Sequence, residues 1–146
     1  MKRPEDFIDR MYQIGLADMT EIRIPGESAP YIPHPDDKRW NGLTLPWMIF
    51  GYGIESTPLQ ILTFYNAIAN NGRMVRPTLW EGTRDHGVMV KNNQTQVMHP
   101  SIASERNILQ IQDLLEKAVR RGTARNIYTD SLNMACLLYT SPSPRD

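Results

Sequence analysis

The sequence predicts an α+β fold that consists mostly of helices and loops and holds only a small amount of sheet. Three segments, residues 4–15, 57–72 and 104–122, place apolar residues at helical spacing. Short apolar runs at residues 88–90 and 96–98 predict one small hairpin, with the segment KNNQT as its connection. From a Pro25-Gly26 turn to Pro46 the apolar residues follow neither the helical nor the strand period, which predicts a long loop.

The overall composition limits the classes of function. The chain has 146 residues, which favours a single domain. Its 16 basic and 16 acidic residues give a net charge of zero, so we expect no nucleic-acid partner and no anionic membrane surface. No run reaches the roughly 18 apolar residues of a transmembrane helix, and the N-terminal residues do not resemble a signal peptide.

The first helix is predicted to begin at Pro4, with Glu5 and Asp6 at the end of the helix dipole that favours negative charge. Gly15 is a natural stop. Its apolar stripe consists of Phe7, Ile8, Met11, Tyr12 and Ile14. A short extended piece is predicted at residues 22–24, and the long loop after it is expected to be packed by its aromatic residues, Tyr31, Trp40 and Trp47.

The second helix has the most strongly defined ends. Thr57 is a good N-cap, Pro58 suits the first helical position, and Gln60 stands where a capping box requires Glu or Gln. Asn70-Asn71-Gly72 ends the helix, with Gly72 able to adopt the left-handed conformation. Apolar residues cover nearly its whole circumference, which predicts a central, buried helix: Leu59, Ile61, Leu62, Phe64, Tyr65, Ala67, Ile68 and Ala69.

The third helix is predicted to begin after Ser104 as N-cap and to end at Gly122, after Arg120 and Arg121. Its stripe consists of Ile108, Ile111, Leu115, Ala118 and Val119. The segment of residues 122–135 can start another short helix.

The last residues, 136–146, differ in composition from the rest and contain the single cysteine, Cys136. Read back into codons, they match a transposon adapter used to build sequencing libraries, so we predict that they are not native sequence. The alternative is a native Ser/Pro-rich disordered tail. Residues 1–135 contain no cysteine, which excludes a disulfide scaffold.

The titratable residues do not follow the pattern of a catalytic or metal site. His34, His86 and His99 lie in separate loop-like segments, so we interpret them as exposed or packing histidines. The carboxylate pairs at residues 5–6 and 36–37 are interpreted as a helix start and a turn. Gly51-Tyr52-Gly53 lacks the rest of a dinucleotide fingerprint and indicates tight backbone packing against a neighbouring element. We therefore expect no catalytic, cofactor-binding or metal-binding residue in this chain.

Three blocks of the sequence together resemble one protein family. Residues 51–72 read GYG…TPLQ…Y…ANNG, residues 24–27 read IPGE, and residues 114–124 read LLEKAVRRGTA. In this order and spacing they resemble the transpeptidase domain of class B penicillin-binding proteins, over about residues 4–135. Residues 44–72 are most similar to division-specific, FtsI-type enzymes of the Bacteroidota. The resemblance implies a partial, β-lactamase-like domain with little of the central antiparallel sheet.

The family's catalytic motifs, S-x-x-K, S-x-N and K-T-G, cannot be assigned in this sequence. Ser131-Leu132-Asn133 matches S-x-N by pattern, but it follows the GTA of residues 122–124, where the family's S-x-N has already passed. By the resemblance, residues 1–135 are an internal segment of the transpeptidase domain, between the S-x-N and K-T-G motifs. The segment itself is expected to be inactive.

The resemblance implies that the complete protein is a serine-type D,D-transpeptidase, which cross-links peptidoglycan through an acyl-enzyme and needs no cofactor. Its implied partners are peptidoglycan stem peptides, β-lactams and membrane proteins of the division machinery. Its implied location is the cytoplasmic membrane, with a single membrane helix and the catalytic domain on the periplasmic side. Three alternatives stay open: an elongation-type transpeptidase, a β-lactam-sensing receptor domain and, in another class, a non-catalytic α+β interaction domain.

Overall fold

A computed structural model describes residues 3–22 and 25–122 of the chain. The chain divides into two compact units after Ile102. In chain order the first unit contains α1 (Pro4–Gln13), α2 (Thr44–Ile49), α3 (Pro58–Ala69), β1 (Met74–Val75), β2 (Gly82–Asp85), β3 (Val88–Asn92) and β4 (Val97–His99). The second unit begins at Ala103 and contains α4 (Glu105–Arg121). Helices combined with short strands confirm the predicted α+β class.

Helix α1 begins and ends as the sequence predicts. Pro4 is its first residue, and Glu5 and Asp6 lie in its first turn, at the positive end of the helix dipole. After the helix, Gly15 has a φ of +81°, and a Cβ on it would lie only 3.1 Å from the ring of His99. Glycine is therefore required at this position by both its backbone conformation and its surroundings.

One hydrophobic cluster of the first unit lies where α1, the long loop and α2 meet. Its buried residues are Ile8, Ile32 and Met48, one from each of these segments. Half-buried side chains pack around them: Phe7, Met11, Leu16, Ala17, Trp40 and Ile54. Trp40 thus packs the loop as predicted. Burial of these side chains is the main stabilising contribution in this part of the unit.

The other two loop aromatics have different roles. The backbone of Tyr31 forms an isolated antiparallel bridge with Glu55, through two N–H···O hydrogen bonds of 2.9 Å. Trp47 is 57% exposed and stands edge-on to the ring of Tyr52, with 5.6 Å between the ring centroids. The prediction that Trp47 packs the loop is therefore wrong, because this side chain is mostly exposed and does not belong to the buried cluster.

Residues 44–49 form α2, so the prediction of loop up to Pro46 is wrong. Pro46 is tolerated because it lies in the first turn, where a backbone N–H has no partner within the helix. Asn41 prepares the start of α2: its Oδ1 accepts the N–H of Leu43 at 2.9 Å, and its own N–H donates to Oγ1 of Thr44 at 3.0 Å. Six residues are too few to show a helical period in the sequence.

Helix α3 has the predicted ends but not the predicted burial. Thr57 and Gln60 form a complete capping box, and Gly72, with a φ of +87°, donates its N–H to the carbonyl of Ala67 at 2.8 Å. Its buried residues are Gln60, Thr63, Ala67 and Ile68. Leu62, however, is 63% exposed. Within the described residues, α3 is therefore buried on one side only.

The strands form two separate antiparallel pairs, and the predicted partner of β3 is wrong. β3 pairs with β2 across the two-residue turn His86-Gly87, whose φ values of +47° and +84° suit a tight hairpin. β4 pairs with β1, with Met74 opposite His99. Residues 93–96 therefore connect the two pairs and do not close a hairpin. The short apolar runs of the sequence indicated β3 and β4, but not β2 and β1, with which they pair.

The glycines on either side of Tyr52 serve the backbone rather than close packing. Gly51 and Gly53 have φ values of +84° and +73°. A Cβ at Gly51 would meet no atom within 4 Å, and one at Gly53 would meet only the side chain of Pro33, at 4.0 Å. The interpretation of this motif as tight packing is wrong. Its glycines provide the left-handed conformations that turn the chain after α2.

Helix α4 has the predicted limits. The hydroxyl of Ser104 accepts the N–H of Asn107 at 3.4 Å, and Gly122 is the C-cap. Ile108 and Val119 of the predicted stripe are buried. None of the described helices has both the length and the apolar character needed to cross a membrane. The predicted short helix after residue 122, the Ser131-Leu132-Asn133 match and residues 136–146 lie outside the described residues.

Candidate functional site

Residues 25–27 of the IPGE block form a turn that is closed by the glutamate. Pro25 and Gly26 make the turn, and Gly26 has a φ of +94°. One carboxylate oxygen of Glu27 accepts two hydrogen bonds from Thr20, from its backbone N–H at 2.6 Å and from its hydroxyl at 2.7 Å. Because Thr20 is almost completely buried, these bonds anchor the turn to the interior of the first unit.

The same contacts set the ionisation of Glu27. Burial alone would raise the pKa of this carboxyl group, but the hydrogen bonds outweigh burial and lower its pKa below the ordinary value. The donors are the hydroxyl and N–H of Thr20 and the N–H groups of Glu21 and Ile22. All of them favour the charged form, so Glu27 acts as a charged acceptor that holds the turn.

Gln60 joins this turn to α3. Its side-chain oxygen accepts the N–H of Thr57 at 2.7 Å, while its own N–H donates to the hydroxyl of Thr57 at 3.2 Å. Its side-chain amino group donates to the carbonyl of Ser28 at 3.0 Å. One buried side chain therefore caps α3 and fixes the residue that follows the IPGE turn. Two of the three sequence blocks that carry the family resemblance are thus joined through Ser28, the residue after IPGE.

A second polar cluster stabilises the long loop. The hydroxyl of Tyr31 donates to Asp37 at 2.5 Å, and the guanidinium of Arg39 lies 4.3 Å from the centroid of the Tyr31 ring. The hydrogen bond from Tyr31 and the N–H of Arg39 lower the pKa of Asp37, and the same bond to Asp37 raises the pKa of Tyr31. Asp37 is thus a loop-stabilising charge, in agreement with its interpretation as part of a turn.

The three histidines lie in different places. His34 is near Asp9 and Asp36, with N···O distances of 3.7 and 3.2 Å. His86 is exposed in the β2–β3 turn, and His99 on β4 contacts Asp18 beside Gly15. Within residues 3–22 and 25–122, no three His, Cys, Asp or Glu side chains gather in a way that could hold a metal ion.

The structure also contains a cavity of about 470 Å³, which the sequence analysis did not predict. Three segments line it, residues 21–22, 75–80 and 93–96. At its side, Arg76 forms an ion pair of 2.5 Å with Glu21 and donates from its guanidinium to the side-chain oxygen of Gln96 at 2.7 Å. The β1–β4 pair brings residues 75–80 and 93–96 together, and the ion pair of Arg76 with Glu21 adds residues 21–22, which are distant in sequence.

The family model named penicillin binding protein transpeptidase domain matches residues 3–135. The chain belongs to the penicillin-binding protein transpeptidase family. This match covers the IPGE turn, α3 and α4, so the alternative of an α+β interaction domain of another class, outside this family, is wrong.

Relatives of this family member include both curated proteins and solved structures. Penicillin-binding protein PbpB of Mycobacterium tuberculosis is 31% identical over 121 residues, which are 81% of this chain and 17% of that protein. Peptidoglycan D,D-transpeptidase FtsI of Buchnera aphidicola is 25% identical over 122 residues, which are 82% of this chain and 19% of that protein. The chain therefore spans less than a fifth of the length of either relative.

The fold also agrees with a solved member of the family. Penicillin-binding protein 3 of Mycobacterium tuberculosis in complex with ampicillin superposes with a TM-score of 0.65 and 28% identity, over 84% of this chain and 26% of that one. The mixed helix-and-strand architecture described above is thus that of a partial transpeptidase domain.

Proposed function

We propose that this chain is an internal segment of a peptidoglycan D,D-transpeptidase and that residues 1–135 lie between the S-x-N and K-T-G motifs of that enzyme. The observation that carries the proposal is the family match over residues 3–135. The small share of each relative that the chain covers supports the placement as a segment. In this proposal residues 136–146 are not native sequence.

In the complete enzyme, the serine of S-x-x-K attacks the carbonyl of the penultimate D-Ala of a stem peptide and terminal D-Ala leaves. An amine of a second stem then resolves the acyl-enzyme. The segment contributes framework and no reacting group. Its Gln60 joins the start of α3 to the carbonyl of Ser28, and its Glu27 holds the IPGE turn to Thr20, so these contacts restrain this part of the domain.

We further propose that the enzyme works in septal synthesis and binds β-lactams. Similarity to an FtsI supports the septal role, and similarity to a penicillin-binding protein that was solved with ampicillin supports β-lactam binding. The proposed partners are stem peptides and membrane proteins of the division machinery. The proposed location is the cytoplasmic membrane, with one anchoring helix and the catalytic domain outside.

The test begins with the genomic sequence on both sides of residues 1–135. We expect S-x-x-K and S-x-N upstream, K-T-G shortly downstream, and native sequence that departs from residues 136–146 after Ala135. The full-length protein should be acylated by a fluorescent penicillin, and replacing the serine of S-x-x-K by alanine should abolish the label. A native reading frame that continues through residues 136–146, or an unlabelled wild-type protein, would contradict the proposal.

The cellular role is tested separately by depleting the protein. A septal enzyme should give filaments that still elongate, whereas an elongation-type enzyme should give cells that widen and still divide. A β-lactam-sensing receptor should leave growth unchanged without drug and should lose its response to the drug when the serine is replaced.

A further inference from the structure

The cavity beside the β1–β4 pair lies outside the features that the proposed function uses. Its volume of about 470 Å³ is within the range of small-ligand sites. Its lining combines apolar side chains with amides and hydroxyls, and its charged members are Glu21 and Arg76. A ligand that is polar and also has an apolar face would complement this lining.

The charges in the lining neutralise each other. Arg76 lies 2.5 Å from a carboxylate oxygen of Glu21, and its other terminal nitrogen donates to Gln96 at 2.7 Å. The backbone N–H of Arg76 also donates to the carbonyl of Gln96, at 2.9 Å. Since this cation is already paired, the described lining residues offer no net charge to attract an anion, and a neutral ligand fits them best.

Trp80 lines the cavity, and hydrogen bonds hold its backbone in place. Trp80 is 44% exposed, and its backbone N–H donates to the hydroxyl of Thr78 at 3.2 Å. The side-chain amide of Asn93 donates both to that hydroxyl, at 2.9 Å, and to the carbonyl of Trp80, at 3.0 Å. Such a network orders the backbone around Trp80 before any ligand binds, which reduces the entropy cost of binding.

The remaining polar groups lie at the rim. Gln94, Thr95 and Gln96 are exposed, and they present carboxamide and hydroxyl groups beside the tryptophan. A sugar ring matches this arrangement: its C–H face packs on an aromatic ring, while hydroxyl and acetamido groups exchange hydrogen bonds with amides. A stem peptide that ends in a carboxylate matches less well, because Arg76, the cation among the described lining residues, is already paired with Glu21.

We propose that this cavity binds a neutral saccharide with acetamido groups, the glycan part of a peptidoglycan strand. The inference rests on the proposed function, because a transpeptidase that acts on peptidoglycan meets its peptide and its glycan together. Trp80 is the aromatic platform, and Gln94 and Gln96 supply the amides at the rim. The site would hold the glycan while the stem peptide reacts elsewhere.

The test uses the full-length protein and triacetylchitotriose, a neutral trimer of N-acetylglucosamine, with binding measured by calorimetry and by saturation-transfer NMR. Trp80→Ala should weaken its Kd about tenfold, and Gln94→Ala should weaken it by a smaller factor. Trp47→Ala is the matched control, since it removes another exposed tryptophan outside the cavity, and it should leave Kd unchanged. Cellotriose, which lacks acetamido groups, should bind about tenfold more weakly than triacetylchitotriose.

Acylation by a fluorescent penicillin is measured on the same samples. Unchanged acylation in Trp80→Ala shows that the variant is folded. Wild-type protein that is acylated but does not bind the trimer would overturn this inference alone, whereas protein that is not acylated would overturn the proposed function. Equal Kd values for wild type and both cavity variants, equal binding of the two trisaccharides, or tighter binding of a D-Ala-D-Ala pentapeptide to the cavity would also overturn the inference.

Discussion

Glu27 shows how one side chain turns a sequence motif into a fixed shape. A Pro-Gly pair by itself permits a turn but does not hold one. The carboxylate of Glu27 adds the missing restraint, because it accepts two hydrogen bonds from buried Thr20 across the turn. Gln60 then connects the carbonyl of Ser28 to the start of α3. The sequence indicated the turn and the cap separately, but the contact between them depends on tertiary structure and could not be predicted.

The lowered pKa of Glu27 predicts that its contribution to stability depends on pH. A carboxyl group whose folded-state pKa is depressed stabilises fully above its unfolded pKa of about 4.3, and this contribution is lost as the pH falls through the folded-state pKa. Glu27→Gln should therefore lower the free energy of unfolding by about 1–2 kcal/mol at neutral pH. The difference from wild type should shrink as the pH falls below the unfolded pKa and through the folded-state pKa.

Urea unfolding of the complete transpeptidase domain, repeated across this pH range, measures that difference. Glu55→Gln is the control, because the carboxylate of Glu55 accepts no hydrogen bond among the described residues. A Glu27→Gln penalty that stays constant from pH 7 to pH 3 would show that the charged form is not what holds the turn.

Gln60→Ala should destabilise the domain by about 1–2 kcal/mol. The substitution removes the side-chain half of the capping box, worth about 1 kcal/mol, and the hydrogen bond to the carbonyl of Ser28. Gln110→Ala, at an exposed position of α4, should change stability by less than about 0.5 kcal/mol. Urea midpoints of the two variants measure the comparison, and equal midpoints would contradict the bridging role of Gln60.

At the scale of elements, the sequence predicted the parts that carry their own end signals. α3 and α4 have side-chain caps at one end and glycine at or just after the other, so their limits agree with the structure. α2 was missed because it has six residues and contains Pro46. The partner of β3 was misassigned because His86-Gly87 is an unusual hairpin turn: histidine adopts a positive φ less readily than the asparagine that such turns favour.

The turn at His86-Gly87 makes a specific prediction for the β2–β3 hairpin. Gly87→Ala places a Cβ on a residue with a φ of +84°, so it should destabilise the hairpin by about 1 kcal/mol. His86→Asn should stabilise it slightly, because asparagine tolerates this conformation. Amide hydrogen exchange of residues 82–92 should be about fivefold faster in Gly87→Ala than in wild type.

Gly42→Ala provides the matched control for that experiment. Gly42 does not have a positive φ, and a Cβ there would meet no atom within 4 Å. Exchange in the hairpin should therefore be unchanged. If Gly87→Ala and Gly42→Ala behave alike, the backbone conformation of the turn does not limit the stability of the hairpin.

At the scale of the whole molecule, exposed apolar side chains are the dominant feature. Leu43, Trp47, Ile49, Phe50 and Tyr52 around α2, together with Ile61 and Leu62 on α3, are all more than 40% exposed. A stable monomer rarely exposes so many large apolar groups close together in sequence. The sequence predicted the apolar character of α3 but not which side of it is covered within this chain, because that depends on the order in which distant segments pack.

We therefore expect residues 1–135, produced alone, to be aggregation-prone or molten and not to be acylated by a fluorescent penicillin.

Leu62→Lys should have opposite effects in the isolated segment and in the full-length protein. In the isolated segment the substitution should reduce aggregation, because it places a charge on an exposed apolar face. In the full-length protein, if the rest of the domain covers that face, the same lysine should destabilise by about 2 kcal/mol or more, because a charge is buried. Ala69→Lys adds the same charge at another exposed position of α3 and should have neither effect. Light scattering of the segment and thermal loss of penicillin acylation in the full-length protein measure the two outcomes. A cooperative unfolding transition in the isolated segment, together with slow acylation, would contradict the expectation that it is incomplete framework.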